Sequence, residues 1–183
     1  MHLRAEADPR YALARREDAS LVVVGSTGTG LLKSLHLGST AEYLLHLPPA
    51  PLVVAKHAAP VRSVVAAVDG SDHAQRAVEA LAAMPWRERV ERIVLVTVRE
   101  GPDGGEAVER AAAALGDATL EVVEKGPGHP VTRTVLDEVE RTSCQLVVLG
   151  TRGRGPILRA LAGSTATAVT RVVECSVLLA HAP

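Results

Sequence analysis

The sequence predicts an α/β protein built on a parallel sheet, and three observations carry that prediction. Branched-aliphatic runs recur along the chain, among them LVVVG at 21–25, VVAAV at 64–68, RIVLVTV at 92–98 and LVVLG at 146–150. Between them lie stretches with helical apolar spacing, so strands alternate with helices, the pattern of parallel strands joined by crossovers. Hydrophobic residues make up 47% of the chain but aromatics only 2%, with no Phe, one Trp and two Tyr. The core must therefore be Leu, Val, Ile and Ala, which suits a sheet buried under alanine-rich helices.

Taken in order, residues 3–18 read as a weakly amphipathic helix that Pro9 can shorten, with Leu3, Ala7, Tyr11 and Ala14 near one face. A strand at 21–25 and a helix at 39–47 follow, the helix stopped by Pro48 and Pro49. A short strand at 52–56 leads to a boundary at 57–62. Strand 64–68 passes through Asp69, Gly70 and Ser71 into a helix at about 72–83. Then come a strand at 92–98, a glycine-rich loop at 100–105, a helix at 106–115 ended by Gly116, and a strand at 119–124. A turn at 126–130 opens a helix at 130–142, with Val131, Val135, Leu136 and Val139 on one face. Strand 145–149, helix 164–174 and strand 176–180 complete the chain.

Composition excludes several classes of function. Net charge is −1 with the signs mixed, so there is no nucleic-acid-binding face and no acidic tail. Scarce aromatics argue against base-stacking platforms. No apolar run is long enough to span a membrane, and the charged N-terminus lacks a signal-peptide core. Cys144 and Cys175 lie far apart in sequence without metal-ligand spacing and read as buried free thiols of a reducing compartment. The expectation is a soluble cytoplasmic protein.

One glycine-spaced stretch occurs twice. GSTGTGLLKSLHLGST runs from Gly25 to Thr40, and GTRGRGPILRALAGST from Gly150 to Thr165. Both follow an aliphatic run, and an offset of 125 residues lays Gly25 on Gly150 and Gly38 on Gly163. Glycines let a backbone turn tightly and approach a ligand closely. Ser and Thr are good N-caps, and a helix start offers free N–H groups and positive dipole to an anion. The spacing therefore points to phosphate binding in at least one copy; the plain alternative is two structural loops with ordinary caps. A P-loop fails, because Gly25 and Gly30 are followed by Leu31 rather than Lys. A dinucleotide fingerprint fails as well, because Gly28-Thr-Gly30 is followed by Lys33 and Gly153-Arg-Gly155 by Leu158 where the third glycine belongs. No catalytic triad is placed by spacing. His73 could face the site or be a lone surface histidine.

These residues resemble the universal stress protein family in its nucleotide-binding branch. The family signature Gly-x2-Gly-x9-Gly-Ser/Thr is matched by Gly150, Gly153, Gly163 and Ser164, and again by Gly25, Gly28, Gly38 and Ser39. Val68 to Ser71 resembles the family's turn after the first strand, whereas Thr97-Val98 stands where His-Val is usual. The resemblance implies an open parallel five-stranded sheet of order 3-2-1-4-5 with helices on both faces. It implies ATP as ligand, with Mg or Mn as the triphosphate's companion. Asp69 would contact the ribose or the phosphate-bound metal, and the backbone of Val98 the adenine. Gly150, Thr151 and Gly153 would form the loop that approaches ribose and phosphates. Gly163, Ser164 and Thr165 would hold phosphates, with Arg152 and Arg154 as further partners. Against each stands a plainer role: Asp69 as a turn or capping residue, Val98 as strand core, the arginines as solvated side chains.

The same offset makes residues 1–58 the C-terminal portion of one unit and residues 61–183 a complete one. The partial unit would lack the Asp69 equivalent and the adenine strand, and so would not bind ATP alone. By resemblance, fifth strands pair antiparallel, either within the chain as a pseudo-dimer or between chains as a homo-oligomer. Strand 21–25 would then end the sheet with an open edge. The expected function is an adenine-nucleotide-binding stress-response module without defined catalysis. Alternatives are a structural dimerisation module that binds no nucleotide, and a slow ATPase or adenylate-transfer enzyme.

Overall fold

A computed structural model describes residues 8–16, 18–26, 37–46, 48–98, 104–116, 119–126, 128–152 and 163–182. The elements are α1 (Pro9–Ala14), β1 (Val22–Gly25), α2 (Ser39–His46), β2 (Leu52–Ala55), β3 (Ser63–Ala67), α3 (Asp72–Ala82), β4 (Arg92–Val98), α4 (Gly104–Leu115), β5 (Leu120–Lys125), α5 (Val131–Thr142), β6 (Leu146–Gly150), α6 (Ser164–Val172) and β7 (Ser176–Ala180). The strands form one seven-stranded sheet in the order β1-β2-β7-β6-β3-β4-β5.

The sheet is mixed rather than wholly parallel. Every neighbouring pair is parallel except β2 and β7, which run antiparallel with Val53 opposite Leu178. β1 lies on β2 in the same register as β6 on β7: Val22 faces Leu52 as Val147 faces Val177, each pair 125 residues from its counterpart.

Strand residues alternate between two cores, as a sheet's twofold period requires. Val65, Val94, Val96, Val147, Leu149, Val177 and Leu179 pack on one face with Leu44, Leu45, Val135 and Val169 of α2, α5 and α6. Val64, Ala66, Ile93, Leu95, Val148 and Leu178 pack on the other with Ala77, Val78, Leu81 and Ala111 of α3 and α4. This second helical layer does not extend over β1, where Val23 is 58% exposed while Val22 and Val24 are buried.

Some boundaries differ from the sequence expectations. Asp8 caps α1, accepting from Arg10 N–H, and Pro9 takes the first helical position, where its missing N–H costs nothing. This helix ends at Ala14, so the expected span to residue 18 is too long, and residues 1–7 lie outside the description. α6 ends at Val172 rather than 174, and a 3₁₀ turn at Arg87–Arg89 precedes β4 without an apolar period to announce it. Among the described residues, no helix is long and apolar enough to cross a membrane.

Candidate functional site

β3 and β6 are neighbours at the middle of the sheet. From β3 the chain moves outward to β4 and β5; from β6 it moves the other way to β7. Successive crossovers therefore diverge between β3 and β6, which opens a crevice at their C-terminal ends. The turn after β3 carries Asp69, and the turn after β6 carries Thr151 and Arg152.

Asp69 is built into its turn. Its Oδ1 accepts from Ser71 N–H at 2.9 Å and from Ser71 hydroxyl at 2.6 Å. Gly70 sits at φ +79, a conformation that L side chains rarely adopt, and so lets the strand turn into α3. Ser71 caps α3, accepting from Ala74 N–H at 3.2 Å, and its hydroxyl also lies 3.3 Å from Arg152 carbonyl. That contact joins the two turns. Asp69 therefore has the turn role, and its Oδ2 has no hydrogen-bond partner among the described residues.

Gly150 has a packing reason of its own. A Cβ there would stand 2.6 Å from Ala74 nitrogen and 2.7 Å from His73 carbonyl carbon. The start of α3 rests on the strand at this point, and only hydrogen fits between them.

Thr151 is fully buried and fully bonded. Its N–H donates to Ala180 carbonyl at 2.8 Å, and its carbonyl accepts from Gly163 N–H at 2.6 Å. Its hydroxyl lies 3.2 Å from His181 Nδ1. These bonds tie Thr151 to the end of β7 and to the start of α6. The first copy closes in the same way: Ser26 N–H donates to Ala55 carbonyl at 2.9 Å, and Gly38 N–H to Ser26 carbonyl at 2.7 Å.

The N-cap of α6 is Gly163, without a side-chain capping bond, so Ser164 and Thr165 are not caps as expected. Ser164 opens the helix and is exposed, while Thr165 hydroxyl accepts from Thr132 of α5 at 3.3 Å. First-turn N–H groups of any helix lack intrahelical acceptors, so α6 presents them beside the Ser164 side chain. Val98 ends β4 in register with Lys125. Gly153 and Arg154 lie outside the described residues.

His73 is not the lone surface histidine that sequence suggests. Its Nδ1 accepts from Ala182 N–H at 2.8 Å, and its ring lies 4.8 Å from that of His181. Burial, chiefly, and the nearby Arg152 cation lower its pKa, against Asp72 and Asp69. His181 is lowered by burial, then by His73 and Arg152. Both imidazoles are thus held toward neutrality beside the crevice. His181, the first residue after the last strand's buried run, carries no sequence signal of its own. Among the described residues, no group of three or more His, Cys, Asp or Glu side chains could hold a metal.

The Universal stress protein family model matches residues 6–56 and 60–181. A universal stress protein of Mycobacterium tuberculosis is 29% identical over 189 residues, covering 90% of this chain and 62% of the relative. One from Mycolicibacterium smegmatis is 29% identical over 97% of this chain and 67% of its own. The chain thus spans about two thirds or less of these relatives' length. The crystal structure of a universal stress protein from Archaeoglobus fulgidus superposes with a TM-score of 0.70 at 25% identity, over 95% of this chain and 65% of that one. A universal stress protein solved in complex with cAMP superposes with a TM-score of 0.52 at 26% identity, over 67% of this chain and 98% of that one. Two family matches that together take in nearly the whole sequence, and an α/β sheet that superposes on solved members, show that this chain belongs to the universal stress protein family.

Proposed function

We propose that the chain binds an adenine nucleotide, ATP first among them, and acts as a stress-response regulatory module rather than as a defined catalyst. The observation that carries this is the crevice between β3 and β6, where the sheet's connections diverge and the turns of Asp69 and Arg152 meet. Ligands of open α/β sheets sit at such points. The relative solved with cAMP supports an adenine nucleotide as the ligand class. In this reading Ser164, Thr165 and the α6 N-terminus receive phosphates, and Val98 backbone receives the base. Asp69 faces the ribose or a phosphate-bound Mg or Mn, and Arg152 and Arg154 add positive charge. Gly150 and Gly163 keep the loops close, and Gly153 leaves room for the phosphates.

Calorimetric titration with ATP, with and without Mg, tests this on the wild type and on Gly153→Val. Binding by the wild type and its loss in the variant are expected. A folded wild type that binds neither ATP nor cAMP overturns the reading, and steady release of ADP overturns its non-catalytic part.

A second reading has one specific observation in its favour. The bonds that close the glycine stretch recur at Ser26 and Gly38, in a copy without an Asp69 counterpart. There the bonds place the start of α2 beside the end of β1. We infer that residues 1–58 are the C-terminal portion of a unit whose remainder would cover Val23 and pair with β1. Residues 61–183 are then the complete unit, of strand order 3-2-1-4-5, and the β2–β7 pair is the pseudo-dimer contact between the two.

A further inference from the structure

We propose that Cys144 and Cys175 form a reversible redox pair, closing into an intrachain disulfide across the feet of β6 and β7 when a hydroperoxide oxidises them. Thirty-one residues separate them, yet the fold brings their sulfurs to 3.9 Å. Cys144 follows Ser143, the left-handed cap of α5, and Cys175 lies in the turn from α6 into β7. β6 and β7 are parallel neighbours, with Leu146 opposite Ser176, so both turns lie at one end of the sheet. Ser176 N–H donates to Gln145 carbonyl at 3.1 Å and ties them together. This end is opposite the nucleotide crevice.

A disulfide needs its sulfurs about 2.05 Å apart, so the pair must close by roughly 2 Å. Cysteines at turn positions can share that movement by side-chain rotation without breaking the strand ladder. The two thiols are also unequal. The hydrogen bond between the two thiols holds Cys144 below its usual range against the cost of burial. The same bond, together with burial, pushes Cys175 up. In the proposed pair Cys144 is the attacking sulfur and Cys175 the resolving one.

Lys56 brings a cation to the same place. Its backbone N–H donates to Ser176 hydroxyl at 3.2 Å. Its ammonium donates to Thr170 carbonyl at 2.7 Å and to Val173 carbonyl, and its charge acts on Cys175. Lys56 directly follows β2, so the thiols sit where β2 docks on β7, at the junction of the two family-matched segments. Their oxidation state would then bear on that junction.

The chemistry balances with one hydroperoxide. Cys144 thiolate attacks the terminal peroxide oxygen, the O–O bond breaks, and the alkoxide or hydroxide that leaves takes a proton. Cys144 becomes a sulfenic acid. Cys175 sulfur attacks the Cys144 sulfur, the S–O bond breaks, and water leaves. Two thiols and one hydroperoxide give a disulfide, an alcohol or water, and water; sulfur loses two electrons and the peroxide gains them. An added dithiol reverses the bridge by exchange. Each cysteine is only 6% exposed, so the oxidant must be as small as hydrogen peroxide.

The test exposes the full chain to hydrogen peroxide under native conditions. Thiols are counted in denaturant, intact mass is measured, and the bridge is mapped in a non-reduced digest. The wild type should lose both thiols and two hydrogens, stay a single chain on a non-reducing gel, yield a Cys144–Cys175 peptide, and recover with dithiothreitol. Cys175→Ser should stop at a Cys144 sulfenic acid trapped by dimedone, and Cys144→Ser should keep Cys175 reduced. A wild type that keeps both thiols, bridges only between chains, or oxidises each cysteine separately to sulfinic acid overturns the proposal. Should either serine variant fail to fold, the wild-type mass and peptide map decide alone.

Discussion

At the residue scale, the candidate site is crowded by residues whose first task is structural. Gly150 is a motif glycine that sequence associates with a ligand, but α3 takes the space its side chain would fill. Gly150→Ala must push backbone rather than a flexible side chain, so it should destabilise by about 2–3 kcal/mol, as overpacking of a close contact does. Urea unfolding measures this, and an unchanged midpoint would contradict the close approach. Thr151 was legible as part of the loop but not as its buried strut, because burial depends on β7 and His181, distant in sequence. The two histidines lead to a pH prediction. Their folded pKa values lie below the usual 6.5, so the unfolded chain takes up protons first as pH falls. Their contribution is fully present above about pH 6.5 and is lost as pH drops through the lowered values. Protonation of His73 on Nδ1 also removes the acceptor for Ala182 N–H. Unfolding midpoints should fall between about pH 7 and pH 5.5. That fall should shrink in a His73→Gln/His181→Gln variant; an equal fall in both proteins would place the effect elsewhere.

At the element scale, strands and crossover helices were legible because aliphatic runs and helical apolar spacing are local signals. Val64 to Ala67 and Leu146 to Leu149 announce buried strands without help from the rest of the chain. The ends were less legible. Pro9 reads as a helix breaker in sequence, but with Asp8 before it the same residue opens a helix. α6 stops at Val172, and Lys56, 114 residues from Thr170 in sequence, caps its last turn. A charged donor on two carbonyls is worth about 1–3 kcal/mol. Lys56 is only half-buried and water can replace part of this, so Lys56→Met should cost about 1 kcal/mol in denaturant unfolding. A neutral substitution would show that the β2–β7 pair alone holds the junction.

At the scale of the whole molecule, β1 is an edge strand with Val23 exposed on a face that α3 and α4 do not reach. An apolar edge of this kind invites further pairing. The 183-residue chain should therefore sediment above its 19.1 kDa as concentration rises, and Val23→Lys should return it toward the monomer. A wild type that is monomeric throughout the concentration series would show the edge to be inert. The crevice is also a whole-molecule property. Sequence marked the two loops from their glycines and from Asp-Gly-Ser, but their meeting through Ser71 and Arg152 depends on β3 lying beside β6. The glycine spacing could not say which copy serves a ligand, since both copies close with the same bonds. Ser164 is exposed and first in α6, as Ser39 is in α2, so a substitution there leaves the closing bonds in place. The most direct test is calorimetric titration of wild type and Ser164→Asp with ATP, alongside their urea midpoints. An acid in the first turn suits the helix dipole, so the fold should hold or gain by about 0.5 kcal/mol. A nucleotide bound there meets a new negative charge, and its affinity should fall at least tenfold, a change of about 1.4 kcal/mol. Equal affinity in the two proteins, or no ATP binding by a folded wild type, would contradict phosphate recognition at the start of α6.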